Sequence, residues 1–326
     1  MSRACAGPDE PMKLLQSVEQ LSSVAGPIHL AIGVFDGIHL GHQAVIKRAI
    51  TAAANAGGTA VVLTFHPHPV RVLRPEKAPR LLTSTQHKTL LIEQLGVGAL
   101  LVQEFSLAFS RTPPRDFVLQ LLHFAKRLQT VCVGEGWSFG ANRSGSVDLL
   151  RELATSEGFT LDTVKPIIIE GDVVSSTRVR EAVERGELRQ AAKFLGRPFT
   201  ILGTVTKGNL LGRQLGFPTA NLRAHNEQFP PNGVYAVKAW HKGRQYGGVV
   251  NIGVRPTLEQ TKGERILEIH LFDFGQDIYG DEVEVSFLEY LRPEKKFESL
   301  THLKEQIGRD AGVAREICGA RRGNEK

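Results

Sequence analysis

Apolar positions in the first half of the chain fall into short unbroken runs. Stretches with a three-and-four repeat separate them. Runs at 28–34, 59–65, 98–103, 130–134 and 160–168 read as buried strands. The spacing between them predicts helices over 42–56, 84–95, 113–126 and 146–157. Ser84 and Ser146 stand as caps, Pro113-Pro114 opens the third helix, and Gly57-Gly58 stops the first. A last helix of this half is predicted from about 176 to 185. Alternation of this kind predicts an α/β fold with a doubly wound, Rossmann-like parallel sheet. Glu187 to Leu195 reads as a connecting helix, ended by Gly196 and Pro198. Beyond it the period drops to two. Val283, Val285 and Phe287 alternate with Glu282, Glu284 and Ser286, and Ile266 to Phe274 is a further strand. Val234 to Trp240 and Tyr246 to Ile252 flank Lys242-Gly243, which predicts a hairpin. Short strands with glycine turns predict an antiparallel β-barrel. Leu300, Leu303 and Ile307, after a Ser299 cap, predict a terminal helix. The change of period divides the chain into an α/β domain over 12–186 and a barrel domain over 187–322.

Composition narrows the chemistry. The 326 residues suffice for two cores. A net charge of +6 is carried without any basic block and without interleaved aromatics, which speaks against a nucleic-acid partner; anionic small molecules account for it. Cys5, Cys132 and Cys318 lie far apart with no Cys-x-x-Cys. That argues against a disulfide framework or a zinc site and fits a reducing, cytoplasmic setting. Cys132, between two valines, reads as core filler. No apolar run approaches the ~18 residues of a membrane span, so no membrane partner is expected. No apolar signal core precedes Pro8 to Pro11, so no secretion signal is expected, and residues 1–11 are expected to be disordered. No pattern bears on oligomeric state.

Gly33-Val34-Phe35-Asp36-Gly37-Ile38-His39-Leu40-Gly41-His42 sits where the first strand hands over to a helix. In a parallel sheet this is where ligands bind, and a helix start offers free N–H groups to a phosphate. Gly37 and Gly41 permit close backbone approach. His39 and His42 can donate to charge developing on phosphorus. Two surface histidines in a turn are the plain alternative. Thr64-Phe65-His66-Pro67-His68-Pro69 ends the second strand at the same edge, its prolines predicting a stiff loop without a helix. In Val133 to Gly140, Trp137 and Phe139 can flank a planar ring, or simply pack on the core. Val174 to Arg180 puts Ser175, Ser176 and Thr177 at a helix start, followed by Arg178 and Arg180. Such a set suits a polyphosphate.

In the second half, Gly208, Gly212 and Gly216 form a loop whose N–H groups can surround phosphates, although the P-loop ending is missing. Thr219 and Asn221 offer oxygen ligands two residues apart, which suits Mg²⁺ shared with a nucleotide; an ordinary glycine-rich barrel loop explains them too. Alternation puts Glu268 and His270 on one face of a strand. Glu268 there is either a base for a substrate hydroxyl or a solvated side chain.

The His-Leu-Gly-His element resembles the His-x-Gly-His signature of nucleotidylyltransferases, which release pyrophosphate without a covalent enzyme intermediate. Further motifs make the resemblance narrower. Thr-Phe-His-Pro-His-Pro (64–69), Ser-Ser-Thr-Arg-Val-Arg (175–180), Gly-Arg-Gln-Leu-Gly-Phe-Pro-Thr-Ala-Asn (212–221), Gly-Val-Tyr-Ala-Val (233–237), Asn-Ile-Gly-Val-Arg-Pro-Thr (251–257) and Leu-Arg-Pro-Glu-Lys-Lys-Phe (291–297) follow in order. From about residue 13 to 310 the chain resembles the bacterial bifunctional riboflavin kinase/FMN adenylyltransferase family. The resemblance implies that the barrel phosphorylates riboflavin to FMN with ATP. It implies that the α/β domain transfers AMP from a second ATP to FMN, giving FAD and pyrophosphate. Carried over by position, it implies Glu268 as the base, Thr219 and Asn221 on Mg²⁺, and His39 and His42 at the adenylyl phosphate. It further implies ATP or phosphate contacts at Gly33, Phe35, Gly41, Ser175, Ser176, Thr177, Arg178, Arg180, Gly208, Gly212 and Arg213. Flavin contacts are implied at His66, Pro67, Trp137, Phe139, Asn251, Arg255 and Arg292, with Asn251 to Thr257 as a lid. The chain departs from the family pattern at Ser106, Gly136 and Trp137.

Overall fold

Leu30, Val61 and Leu63 face one side of a sheet and Ala31 and Val62 the other, all with no accessible surface. Burial on both faces is why the sequence shows unbroken apolar runs rather than alternation. The structure, a computed structural model, describes residues 11–206, 216–254 and 265–320. It divides into two units, each described by itself. The first runs to Pro79, resumes at Lys88 and ends at Ser176; the second takes Arg80–His87 and the described residues from Thr177 onward. The expected division at 186/187 therefore falls inside the second unit. The helices just before and after that point bury Val179, Val183, Ala191 and Phe194.

The first unit holds six parallel strands: β1 (Lys13–Leu15), β2 (Ile28–Ile32), β3 (Thr59–His66), β4 (Ala99–Glu104), β5 (Leu128–Gly134) and β6 (Thr160–Val164). Their order is β1-β4-β3-β2-β5-β6. Chain direction across the sheet reverses between β2 and β5, the switch point where α/β sheets leave a crevice. Helices α1 (Leu40–Ala56), α2 (Pro69–Leu73), α3 (Thr85–Glu93), α4 (Pro114–Phe124) and α5 (Val147–Glu157) connect the strands. Gly57, at φ 68°, ends α1 as expected.

Two expectations change here. The strand expected over 160–168 stops at Val164, because Pro166 cannot donate to a ladder. Ile168–Ile169 (β7) instead pairs with Asp172–Val173 (β8) in a separate hairpin. The prolines after His66 do not bar a helix: Pro69 takes the first position of α2, where its missing N–H does no harm, and His68 Nδ1 accepts from Val70 N at 3.2 Å.

The second unit begins with α6 (Ser176–Glu184), whose first residue closes the other unit, and α7 (Leu188–Leu195). Six antiparallel strands follow: β9 (Thr200–Thr206), β10 (Ala220–Ala224), β11 (Gly233–His241), β12 (Arg244–Val254), β13 (Arg265–Leu271) and β14 (Glu282–Arg292). They close into a barrel in the order β10-β13-β12-β11-β14-β9. The β11–β12 turn is the two-residue Lys242-Gly243 loop, both at positive φ, which matches the twist of the strands. Helix α8 (Leu300–Ala320) covers the barrel wall with Ala311, Ala314 and Cys318 against Phe272 and Leu288. Leu300, expected on that buried stripe, is exposed.

On the polar side of β14, Glu282 is exposed but Glu284 and Ser286 are covered. The segment Arg80–His87 lies on this side. The buried His87 has Nε2 2.9 Å from Glu284 Oε1 and 3.1 Å from Thr200 Oγ1. Asn226 donates to the Leu82 carbonyl and, at 3.2 Å, to that of Thr200, and accepts from Leu202 N at 3.1 Å. Burial pushes the Glu284 carboxyl up, but His87, Thr200 and Arg197 together hold it below its ordinary value.

Candidate functional site

Between β2 and α1 the backbone takes an unusual path. Phe35 (φ 52°), Gly37 (84°) and Ile38 (45°) all lie in the left-handed region. For Phe and Ile that conformation is strained, and such strain gathers at functional sites. The turn is held by burial: Phe35 and Ile38 are core residues. The Phe35 ring lies so close over Gly33 that a Cβ there would meet it at 2.8 Å. This packing requires a glycine at position 33, and the Phe35 side chain is buried.

His39 caps α1, its Nδ1 accepting from His42 N at 3.3 Å. In the neutral ring this leaves the proton on Nε2. The His39 and His42 rings stack with centroids 3.6 Å apart, and Phe35 meets His42 edge-on. A Cβ on Gly41 would come within 3.1 Å of the His39 ring and 3.8 Å of the Val174 carbonyl. The segment before α6 therefore runs beside this helix start. Ser176 Oγ confirms it, donating to the Asp36 carbonyl at 2.9 Å. His39, His42, Ser175 and Ser176 converge as expected. Farther along α6, Thr177 and Arg178 are exposed, Arg178 pairs with Glu181 at 3.5 Å, and Arg180 Nε donates to the Arg80 carbonyl at 2.8 Å.

His66 and Pro67 end β3 at the same sheet edge as His39, with the His66 carbonyl accepting from Phe105 N at 2.9 Å. Trp137 and Phe139 do not form the expected sandwich. They stack on each other at 4.5 Å and 11°, whereas a ring inserted between them needs a separation of about 7 Å. Phe139 is buried, leaving Trp137 as the ring with an accessible part. Cys132 is core filler: burial pushes its thiol up to about 12.

In the barrel, strand register builds a row. Asn221 on β10 pairs with Glu268 on β13, and Glu268 pairs with Asn251 on β12. Directly opposed residues point to the same face, so amide, carboxylate and amide stand side by side. Leu267, Ile269 and Leu271 fill the other face. Thr219 comes two residues before Asn221, just ahead of β10. Its approach is fixed by His270, whose Nδ1 donates to the Pro218 carbonyl at 2.8 Å, with Phe217 edge-on to the ring. Asn251 lies within paired β12 rather than in a lid, and its Nδ2 donates to Glu294 Oε1 at 3.2 Å.

Arg292 has a structural partner. Its Nε and Nη2 grip Asp310 at 2.9 and 2.7 Å, and Nη1 donates to the Pro293 carbonyl at 2.9 Å. These bonds tie β14 to α8 and leave one further N–H on each Nη. Gly208, Gly212, Arg213, Arg255 and residues 1–10 lie outside the described residues. One residue that periodicity did not single out stands behind the strained turn. Lys88 on α3 is buried and donates to the Val34 carbonyl at 2.7 Å. On a helix, a single lysine reads as solvated, so no pattern marks it.

A doubly wound sheet with a capped His-x-Gly-His helix at its switch point is built to hold phosphates, and the barrel's carboxylate between two amides suits hydroxyl chemistry. Together they define a nucleotide-dependent transferase in two parts. Residues 22–178 match the family model for FAD synthetase, and residues 195–318 that for riboflavin kinase. The chain is 38% identical to the bifunctional riboflavin kinase/FMN adenylyltransferase of Bacillus subtilis, covering 90% of this chain and 91% of that one. It is 36% identical to the proteins so named in Escherichia coli K12, over 94% and 98%, and in Haemophilus influenzae, over 93% and 98%. A solved structure described as a macrolide-efflux protein from Streptococcus pneumoniae matches with TM-score 0.80 and 28% identity, over 94% of this chain and 99% of that one. Among the described residues no helix is long and apolar enough to cross a membrane. The chain belongs to the family of bifunctional riboflavin kinase/FMN adenylyltransferases.

Proposed function

We propose that the family's two activities are divided between the two units, adenylyl transfer in the first and riboflavin phosphorylation in the second. The enzyme makes FMN from riboflavin and ATP, then FAD from FMN and a second ATP. In the first unit an FMN phosphate oxygen attacks the α-phosphorus of ATP. The new P–O bond forms as the bond to the bridging oxygen breaks, and pyrophosphate leaves. Negative charge grows on the α-phosphoryl and leaving oxygens. His39 through Nε2, His42, the N–H groups of α1, the Ser175 hydroxyl and the Ser176 N–H are the donors we assign to it. Thr177, Arg178 and Arg180, on the helix that Ser176 opens, are proposed to contact phosphate. His66, Pro67 and the accessible part of Trp137 are proposed to meet the flavin.

In the barrel, the riboflavin 5′-hydroxyl attacks the γ-phosphorus of ATP and ADP leaves. We assign Glu268 as the base that receives the hydroxyl proton, because it stands between Asn221 and Asn251. Thr219 and Asn221 are hard oxygen donors of the kind Mg²⁺ accepts. Among the described residues no cluster of three His, Cys, Asp or Glu competes for a metal. Two protein ligands leave positions for phosphate and water, as Mg²⁺ prefers. When bound, the ion would offset charge on the transferring phosphate. We place both reactions in the cytoplasm, where a buried thiol such as Cys132 stays reduced.

The row Asn221–Glu268–Asn251 carries the kinase reading, and the capped turn at His39 the adenylyl reading. Incubation with riboflavin, ATP and Mg²⁺, followed by separation of the flavins, tests both: FMN and FAD are expected. His42→Ala is expected to lower FAD formation by about 10²–10³ and to leave FMN formation intact. Equal loss of both activities in a folded variant would overturn the division.

A further inference from the structure

Three side chains from three different segments hold the strained turn by its backbone. Lys88 Nζ donates to the Val34 carbonyl at 2.7 Å and lies 3.3 Å from Thr64 Oγ1. The Thr64 hydroxyl donates to the same carbonyl at 2.8 Å. Beyond the bend, Ser176 Oγ donates to the Asp36 carbonyl. Lys88 and Thr64 are both buried, as is Asp36, the charged group that faces the ammonium. A buried ammonium is unfavourable, and an apolar side chain of the same length would fill the space without that penalty. What an apolar chain cannot do is donate to Val34. Without that bond the Phe35 and Ile38 conformations lose a restraint, and they set the direction in which α1 begins.

We propose that Lys88, with Thr64, is a positioning residue for adenylyl transfer. It locks the Val34–Ile38 turn so that His39 and His42 stand where charge develops on the phosphorus. The inference rests on the reading of His39 and His42 as phosphate donors. It assigns Lys88 no contact with substrate. A displacement of reacting groups by about 1 Å can lower a rate by 10²-fold, so the effect belongs in kcat.

The test compares Lys88→Met, Lys88→Arg and Thr64→Val with His42→Ala in the full chain. FAD formation from FMN and FMN formation from riboflavin are measured on each preparation. Lys88→Met is expected to lower kcat for FAD about 10- to 100-fold, with KM for ATP changed less than about threefold and FMN formation unchanged. Lys88→Arg, which still donates, is expected to recover part of the loss, and Thr64→Val to show a smaller loss of the same kind. Full FAD turnover in a folded Lys88→Met protein would overturn the proposal, as would a rise in KM alone, which would mean ground-state binding. Should Lys88→Met fail to fold, Thr64→Val decides: normal kcat overturns, lowered kcat supports. Normal FAD formation in His42→Ala would instead overturn the underlying reading of the histidines.

Discussion

Glu268 and Lys88 show how differently two side chains can be read. Glu268 sits on an alternating strand, where spacing alone favours a solvated carboxylate. Only the register, which sets it between Asn221 and Asn251, distinguishes it from such a carboxylate. Glu268→Gln keeps the size but cannot take a proton. It is expected to lower FMN formation by about 10²–10⁴ while FAD is still made from supplied FMN. Near-normal kinase turnover would return Glu268 to the solvated face. His270, whose Nδ1 proton is given to Pro218, keeps Nε2 as an acceptor and would be the next residue to test. Lys88 makes a thermodynamic prediction as well. Burial lowers its ammonium from 10.5 to about 8, against the pull of Asp36. Between those values the unfolded chain holds more protons than the folded one, so this group's contribution to stability rises with pH. The rise through that window is about 3 kcal/mol at most. Urea unfolding of wild type and Lys88→Met at pH 7.5 and 10 checks it. The wild type should gain relative to the variant at the higher pH; a pH-independent difference would show that Lys88 does not titrate there.

At the scale of elements, the sequence was legible where burial is regular. The runs around Leu30, Val62 and Val131 became strands because both sheet faces are covered, and Ser146 capped its helix as read. Legibility failed where a neighbour decides. β1 is three residues long and owes its existence to β4. β9 and β10 carry no clean alternation, and closing the barrel is what makes them strands. The Arg292–Asp310 pair has no local signal, because its members are 18 residues apart on β14 and α8. The strand-to-helix junction was legible from its glycines and histidines, although α1 begins two residues before the expected position 42, and its geometry gives a finer test. A methyl group on Gly41 must push the His39 ring by a few tenths of an ångström. Gly41→Ala is therefore expected to lower FAD formation about tenfold. FMN formation and the thermal midpoint should hold, since alanine favours a helix. Full FAD activity in this variant would mean that the ring tolerates displacement.

For the whole molecule, the division read from the change of period differs from the two units at residues 177–186 and at one segment far earlier in the chain. Arg80–His87 precedes the barrel strands by more than a hundred residues, yet it completes the polar wall of β14 through His87, Glu284 and Asn226. Nothing in its own sequence announces this, because its partners' polar positions look like an ordinary outer face. A fragment of residues 187–326 is expected to fold and phosphorylate riboflavin, but with stability reduced by about 1–3 kcal/mol for the lost buried hydrogen bonds. A synthetic peptide of residues 79–88 should raise its thermal midpoint in a saturable way. A fragment that melts with the intact chain and ignores the peptide would show that the segment contributes nothing.

The same segment has a consequence for how such genes can recombine. A chimera joined at one point, with the adenylyl half of one bacterium and the kinase half of another, inherits the Arg80–His87 stretch from the wrong parent. Its histidine must then meet a foreign glutamate, and its Leu82 carbonyl a foreign asparagine. Single-crossover exchange between distant relatives is thereby penalised, whereas a double exchange that carries the stretch along is not.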